Sequence, residues 1–240
     1  SSQVPELSNE SLPAPVSTNV APVVAGYLGL LLLPSRFIPA AERFQLAARI
    51  DRHVVERSLQ WLESDSRARR ARLNINLSAS TIADEDFAHF LKARLRNTSV
   101  DPTQLCFEIT ETSAVRDLDH ARQFIAQFKA LGVRFALDDF GAGFCSFAYL
   151  RELDVDVFKI DGSFVRDFDR NELSAAIIRA IVEIGRVLGK RVVAECVEDV
   201  RIGLSFIVSM AELAETPTPL ARAFLSIGGA ICGEDFMKTG

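Results

Sequence analysis

The spacing of hydrophobic positions changes repeatedly along the chain, and each change marks an element. Over residues 39–64 the apolar residues Phe44, Leu46, Ile50, Val54, Leu59 and Trp61 predict one amphipathic helix, with Leu46, Ile50 and Val54 each four apart. A charged connection follows at residues 67–72. Short β-branched runs then alternate with helical stretches. Strands are predicted over residues 72–77, 105–110, 134–138, 155–161 and 191–197, and helices over 83–96, 117–131 and 171–188. Asp117 and Asn171 stand where N-caps belong, and Gly132 and Gly189 where helices end. Strict alternation predicts parallel strands joined by right-handed crossovers, hence an open doubly wound sheet or a β/α barrel.

The polar residues favour one of these. Asn76, Glu108, Asp138 with Asp139, Lys159 with Asp161, and Glu195 with Glu198 fall at or just past the C-terminal ends of five successive strands. A barrel gathers such groups on one rim, where active sites are built, whereas an open sheet spreads them along an edge. The expected fold is therefore α/β, a TIM-like (β/α)8 barrel. Residues 20–33, 202–208 and 223–231 are expected to supply the missing strands, irregular at the first and last positions. Residues 1–19, rich in Ser, Pro and Asn and without a steady period, read as a flexible linker from something longer, and residues 20–240 as the barrel domain.

Composition narrows the function. With 240 residues, 48% hydrophobic and 25% charged, the chain can bury a core, and collagen-like, coiled-coil and disordered readings are excluded. A net charge of -5 argues against polymeric nucleic acid as a partner and leaves small anions to be held through a metal. Cys106, Cys145, Cys196 and Cys232 are far apart, which suggests neither zinc nor disulfides, and points to a reducing cytoplasm. The longest apolar run, residues 20–33, is 14 residues and contains Pro22. A membrane span needs roughly 18–20.

The rim residues carry chemistry of one type. Oxygen donors such as Asn76, Glu108, Asp138 and Asp139 suit Mg²⁺ or Mn²⁺ better than zinc. Carboxylates converging without a cation would raise one another's pKa values, and a divalent ion relieves that repulsion. Each has a plainer role available: Asp139 as a helix cap, Asn76 as a turn residue, Glu111 as a surface group. Strand alternation turns Lys159 to the same face as Val157 and Asp161, where a lysine is costly unless paired. A Schiff-base role needs a depressed pKa, which surrounding carboxylates oppose, so charge stabilisation beside a phosphate is the favoured assignment. An ion pair with Asp138 or Glu195 is the structural alternative.

Five segments in order resemble the EAL domain of cyclic-di-GMP phosphodiesterases: NLSAS at 76–80, FEITET at 107–112, FALDDFGAGF at 135–144, FKIDGSFV at 158–165 and VVAECVE at 192–198. PSRFIPAAE at 34–42 is similar to the segment after that family's namesake motif, so the resemblance spans about residues 30–199. It implies a β/α barrel that hydrolyses cyclic di-GMP to pGpG with two Mg²⁺ or Mn²⁺ ions. It further implies Asn76, Glu108, Asp138 and Asp139 as metal ligands, and Lys159 and Glu195 as the groups that position the attacking water. Glu111, Asp161 and Glu198 would stand behind these and orient them. A homodimer formed near the DDFG loop and an upstream sensory or GGDEF-type domain are implied as partners, in the cytoplasm.

The departures bear on activity. The glutamate of the Glu-Ala-Leu signature should fall near Thr18 or Asn19, and no such tripeptide stands there. The Gln-Gly-Tyr segment expected beyond Asp199 is also absent. Cys145 stands where serine is usual, and Cys196 where glycine is usual, directly behind Glu195. Three functions follow: a metal-dependent phosphodiesterase, a degenerate domain that binds cyclic di-GMP or a protein without cleavage, and an unrelated barrel enzyme acting on a phosphorylated sugar.

Overall fold

The computed structural model describes residues 34–64, 68, 71–143 and 147–197. Helices α1 (Pro34–Arg43) and α2 (Ala47–Ser64) lead into β1 (Leu73–Asn76), α3 (Ala79–Ile82), α4 (Glu85–Arg96) and β2 (Leu105–Thr110). There follow α5 (Glu111–Arg116), α6 (Leu118–Lys129), β3 (Arg134–Phe140), β4 (Val157–Ile160), α7 (Gly162–Arg166), α8 (Glu172–Leu188) and β5 (Arg191–Ala194). All four strand pairings are parallel, and the order in the sheet is β1-β2-β3-β4-β5. A doubly wound sheet reverses its strand order at a switch point. Here each strand lies beside its successor, which is the winding of a TIM-like barrel. The stretches expected to complete it, 20–33, 202–208 and 223–231, lie outside the described residues.

The two faces of the sheet differ sharply. Leu73, Ile75, Leu105, Phe107, Ile109, Phe135, Leu137, Phe158 and Ile160 point outward into one core with Phe87, Leu91, Phe124, Phe128, Ile178 and Ile181 of the helices. The inward face carries a small separate cluster, Cys106, Ala136 and Val157, each about 5% exposed or less. One-sided helix packing is what a singly wound β/α chain requires.

The local signals explain most boundaries. Asp117 caps α6 by accepting from the His120 amide, and Asn171 Oδ1 caps α8 from Leu173 and Ser174. Gly189 ends α8 in the left-handed region, at φ 66°. The single helix expected over residues 39–64 is instead two. Gln45 takes φ 55°, and the Leu46 amide bonds back to the Ala41 carbonyl at 2.7 Å, so the chain turns between α1 and α2. That turn leaves Phe44 67% exposed, although its spacing placed it on the buried face.

Candidate active site

Parallel strands in this register bring their inward residues to one rim. Asn76 pairs with Glu108, Thr110 with Asp138, and Lys159 with Val193, two residues before Glu195. Lys159 is the centre of the group. Its Nζ lies 2.6 Å from Glu108 Oε2, 2.6 Å from Glu195 Oε1 and 3.1 Å from Asp138 Oδ1. Three ammonium protons thus meet three carboxylates. Burial opposes the charge on Lys159, but the bonds to Glu108 and Glu195 outweigh it and hold the ammonium above the ordinary lysine value. A Schiff-base lysine needs the opposite shift, so the sugar-enzyme reading loses its nucleophile. The ion-pair alternative for Lys159 is met geometrically, with Glu108 as a further partner.

Two consecutive carboxylates reach the site because β3 bulges. The β3–β4 register slips between Leu137 and Phe140, where Asp139 adopts φ 53° and its amide donates to Asp138 Oδ1 at 3.0 Å. The extra residue lets Phe140 return to the outer core, stacked on Phe158 at 4.8 Å between centroids. Asp139 is therefore part of the strand and, among the described residues, caps no helix. Burial, then the neighbouring Asp138, Asp161 and Glu195, pushes its carboxyl above the usual carboxylate range.

Glu111 is not a surface group. At the start of α5 it is 3% exposed, accepting from the Gly141 amide at 2.9 Å and from the Tyr149 hydroxyl at 2.5 Å. Gly143 lies against the same carboxylate, where an added Cβ would come within 3.2 Å of Cδ. Glu111 thereby fixes the loop after Asp139 at two glycines. Asp161 caps α7, with Oδ1 accepting from the Ser163 amide at 2.7 Å. Asn76 ends β1 facing solvent, and Glu198 lies outside the described residues.

Two contributors carry no motif. Tyr149 reaches Glu111 from the turn Phe147–Arg151. Asp51 of α2 accepts from the Ser78 amide at 2.8 Å and Thr81 Oγ1 at 2.5 Å, which anchors the loop directly after Asn76. These partners are 27 and 30 residues away from Asp51, and no local spacing announces them.

Glu108, Asp138, Asp139 and Glu195 set four carboxylates against one ammonium, an excess of negative charge. Glu108 Oε1 is buried without a hydrogen-bond partner, and burial pushes the Glu108 carboxyl upward, only partly offset by Lys159. An orphaned carboxylate oxygen among hard oxygen donors fits a divalent cation. With the Lys159 ammonium between them, no three acidic, imidazole or thiol groups among the described residues are arranged around a common metal position. Cys196, beside Glu195, takes φ 56°, and its Sγ would lie 2.5 Å from a Cβ added at Gly162.

The profile of the EAL domain family matches residues 21–202. Cyclic di-GMP phosphodiesterase PdeB of Shewanella oneidensis is 39% identical over 175 residues, 72% of this chain and 20% of that protein. The solved structure of the MucR phosphodiesterase in complex with cyclic di-GMP, from Pseudomonas aeruginosa, is 32% identical, with a TM-score of 0.68 covering 75% of this chain and 79% of that one. The calcium/cyclic-di-GMP complex of Klebsiella pneumoniae BlrP1 is 28% identical, with a TM-score of 0.57 over 63% and 38% of the two chains. The chain spans about a fifth to a quarter of the length of the curated relatives it matches.

Proposed function

The chain belongs to the EAL domain family, and from that premise we propose that it hydrolyses cyclic di-GMP to the linear dinucleotide pGpG. The observation that carries this is the convergence of Glu108, Asp138 and Glu195 on Lys159 at one rim, with Glu108 Oε1 left unsatisfied. Asn76, Glu108, Asp138 and Asp139 are the residues that would hold Mg²⁺ or Mn²⁺, as two ions. Bound there, such ions supply Lewis acidity and lower the pKa of the attacking water.

The remaining work falls to the chain's own side chains. Lys159, kept charged by its carboxylate partners, offers a positive group to the negative charge that develops on the phosphate. Glu195, at 36% side-chain exposure, is the most accessible of the three carboxylates on Lys159 and accepts a proton from the attacking water. Glu111 holds the loop at Gly141, so that Asp138 and Asp139 keep their positions, and Asp161 flanks the set; Glu198 is proposed for a supporting role on the resemblance alone.

A second reading rests on a specific feature: residues 17–20 read Ser-Thr-Asn-Val where the signature glutamate is expected. On that reading the domain binds cyclic di-GMP, or a protein, without cleaving it. Incubation with cyclic di-GMP and Mn²⁺, beside a chelated control, separates the two when products are resolved by chromatography. Metal-dependent pGpG that disappears in Asp138→Ala supports hydrolysis; binding that survives chelation, with no product, supports the receptor.

MucR is named as a bifunctional diguanylate cyclase and phosphodiesterase, and a GGDEF-type or sensory domain upstream of this chain is part of the proposal. So are a homodimer near the DDFG loop and a cytoplasmic setting. Among the described residues no helix is long and apolar enough to cross a membrane.

A further inference from the structure

The inward face of the sheet is polar at both ends. The pairing between alternate strands is regular: Asn74 is level with Arg134 through Cys106, and Ala136 is level with Arg191 through Val157. Strand tilt in an eight-stranded barrel with shear 8 adds to this pairing a stagger of one residue per strand, two for each alternate strand. Along that stagger Asn76, Asp138 and Glu195 form the layer at the catalytic rim. Asn74, Ala136 and Val193 form a middle layer. Arg72, Arg134 and Arg191 form the lowest, at the N-terminal mouth.

Barrel layers are normally filled by bulky branched apolar residues, so a layer of three guanidiniums needs a reason. Among the described residues Asp156 is the acidic group whose charge Arg134 feels, without an ion-pair contact between them. None of the three arginines makes an ion pair there, and the nearest acidic groups are engaged elsewhere. Asp156 is bound by Lys129 at 2.8 Å and by the Phe135 amide at 2.8 Å; Asp154 is bound by Lys129 at 3.0 Å and Lys190 at 2.8 Å. Arg134 donates from Nη2 to the Thr103 carbonyl at 2.9 Å, while its Nε is buried without an acceptor. Burial first, then repulsion from Arg72 and Arg191, lowers the Arg134 pKa, so the three cations feel one another. Above them Cys106, Ala136 and Val157 form a small apolar floor between this mouth and the catalytic rim.

We propose that the Arg72, Arg134 and Arg191 layer is a second site, for a phosphate-bearing small molecule, at the end of the barrel opposite the catalytic rim. Guanidinium groups match phosphate oxygens two at a time, and an oxyanion would satisfy the Arg134 Nε while relieving the repulsion among the three. The site does not depend on the proposed hydrolysis.

The test is calorimetric titration of pyrophosphate, then inorganic phosphate, into the full chain with a chelator present, because the metal-free rim is negative and repels anions. Saturable binding is expected, tighter for pyrophosphate and weakened at least tenfold in both Arg134→Gln and Arg191→Gln. Arg191 is exposed at the start of β5, so Arg191→Gln keeps the fold and carries the test alone if Arg134→Gln does not fold, with circular dichroism as the check. No saturable binding to folded wild-type protein, or binding that persists in Arg191→Gln, overturns the site.

Discussion

Replacing Lys159 by Met keeps most of the side-chain volume and removes only the charge, which isolates the electrostatics of the rim. Lys159 is 8% exposed, and its partners Glu108 and Asp138 are 5% and 12% exposed. Removing one member of a buried ion pair strands the other and costs about 3–5 kcal/mol. Glu195, at 36%, is well hydrated and adds about 0–1 kcal/mol. The variant should therefore lose about 3–5 kcal/mol, nearly all of it through Glu108 and Asp138. With a urea dependence of about 1–3 kcal/mol per molar, the unfolding midpoint falls by about 1–5 M. The assay is urea denaturation at neutral pH with a chelator, followed by far-ultraviolet circular dichroism. A second variant checks the cause: adding Glu108→Gln removes the stranded charge, so the double variant should regain about 1–3 kcal/mol. A midpoint within about 0.5 M of wild type, or a double variant no more stable than Lys159→Met alone, refutes the account.

Other perturbations test separate links. Glu111→Ala leaves the half-buried Gly141 amide without its acceptor and should cost about 1–3 kcal/mol in thermal unfolding, with a fall in turnover as the Asp138–Asp139 loop loosens; an unchanged melting temperature argues against this anchor. Gly162→Ala drives a methyl onto Cys196 Sγ and should cost about 1–3 kcal/mol. Cys196→Gly should recover it and release about 1–2 kcal/mol of left-handed strain, so failure of the pair to compensate in denaturation curves removes the coupling. Burial, first, raises the Asp51 pKa above 3.8, and hydrogen bonds from Thr81 and Ser78 offset only part of it. A raised folded-state pKa contributes stability below the unfolded value that is lost as pH rises through the folded one. Asp51→Asn should therefore gain on wild type between about pH 4 and neutrality; parallel stability curves refute the assignment.

Much of this was legible because strand and helix signals are local. The run LCFEIT, residues 105–110, is β2 to the residue, and the caps Asp117 and Asn171 set α6 and α8 where their side chains predict. The turn at Gln45 was not legible. A residue of ordinary type adopts a left-handed backbone there because tertiary packing of α1 and α2 rewards it, and period alone reads through such a break. The rim carboxylates were found by strand position, since parallel register turns sequence order into adjacency. Asp51 and Tyr149 were invisible for the converse reason: each acts through contacts across 27 to 38 residues, which no pattern along the chain encodes.

The bulge in β3 ties these levels together. Side chains alternate along a strand, so Asp138 and Asp139 in regular register would face opposite sides of the sheet, one of them in the apolar core. An extra residue at φ 53° keeps both acids out of that core and returns Phe140 to it. The left-handed conformation is uncommon for a residue other than glycine but is tolerated by aspartate better than by most. It persists because Glu111 grips the Gly141 amide two residues on, and because Phe140 is committed to its stack with Phe158. Glu111 therefore serves the site without standing at the rim, by holding in place the one irregularity that lets a single strand deliver two carboxylates.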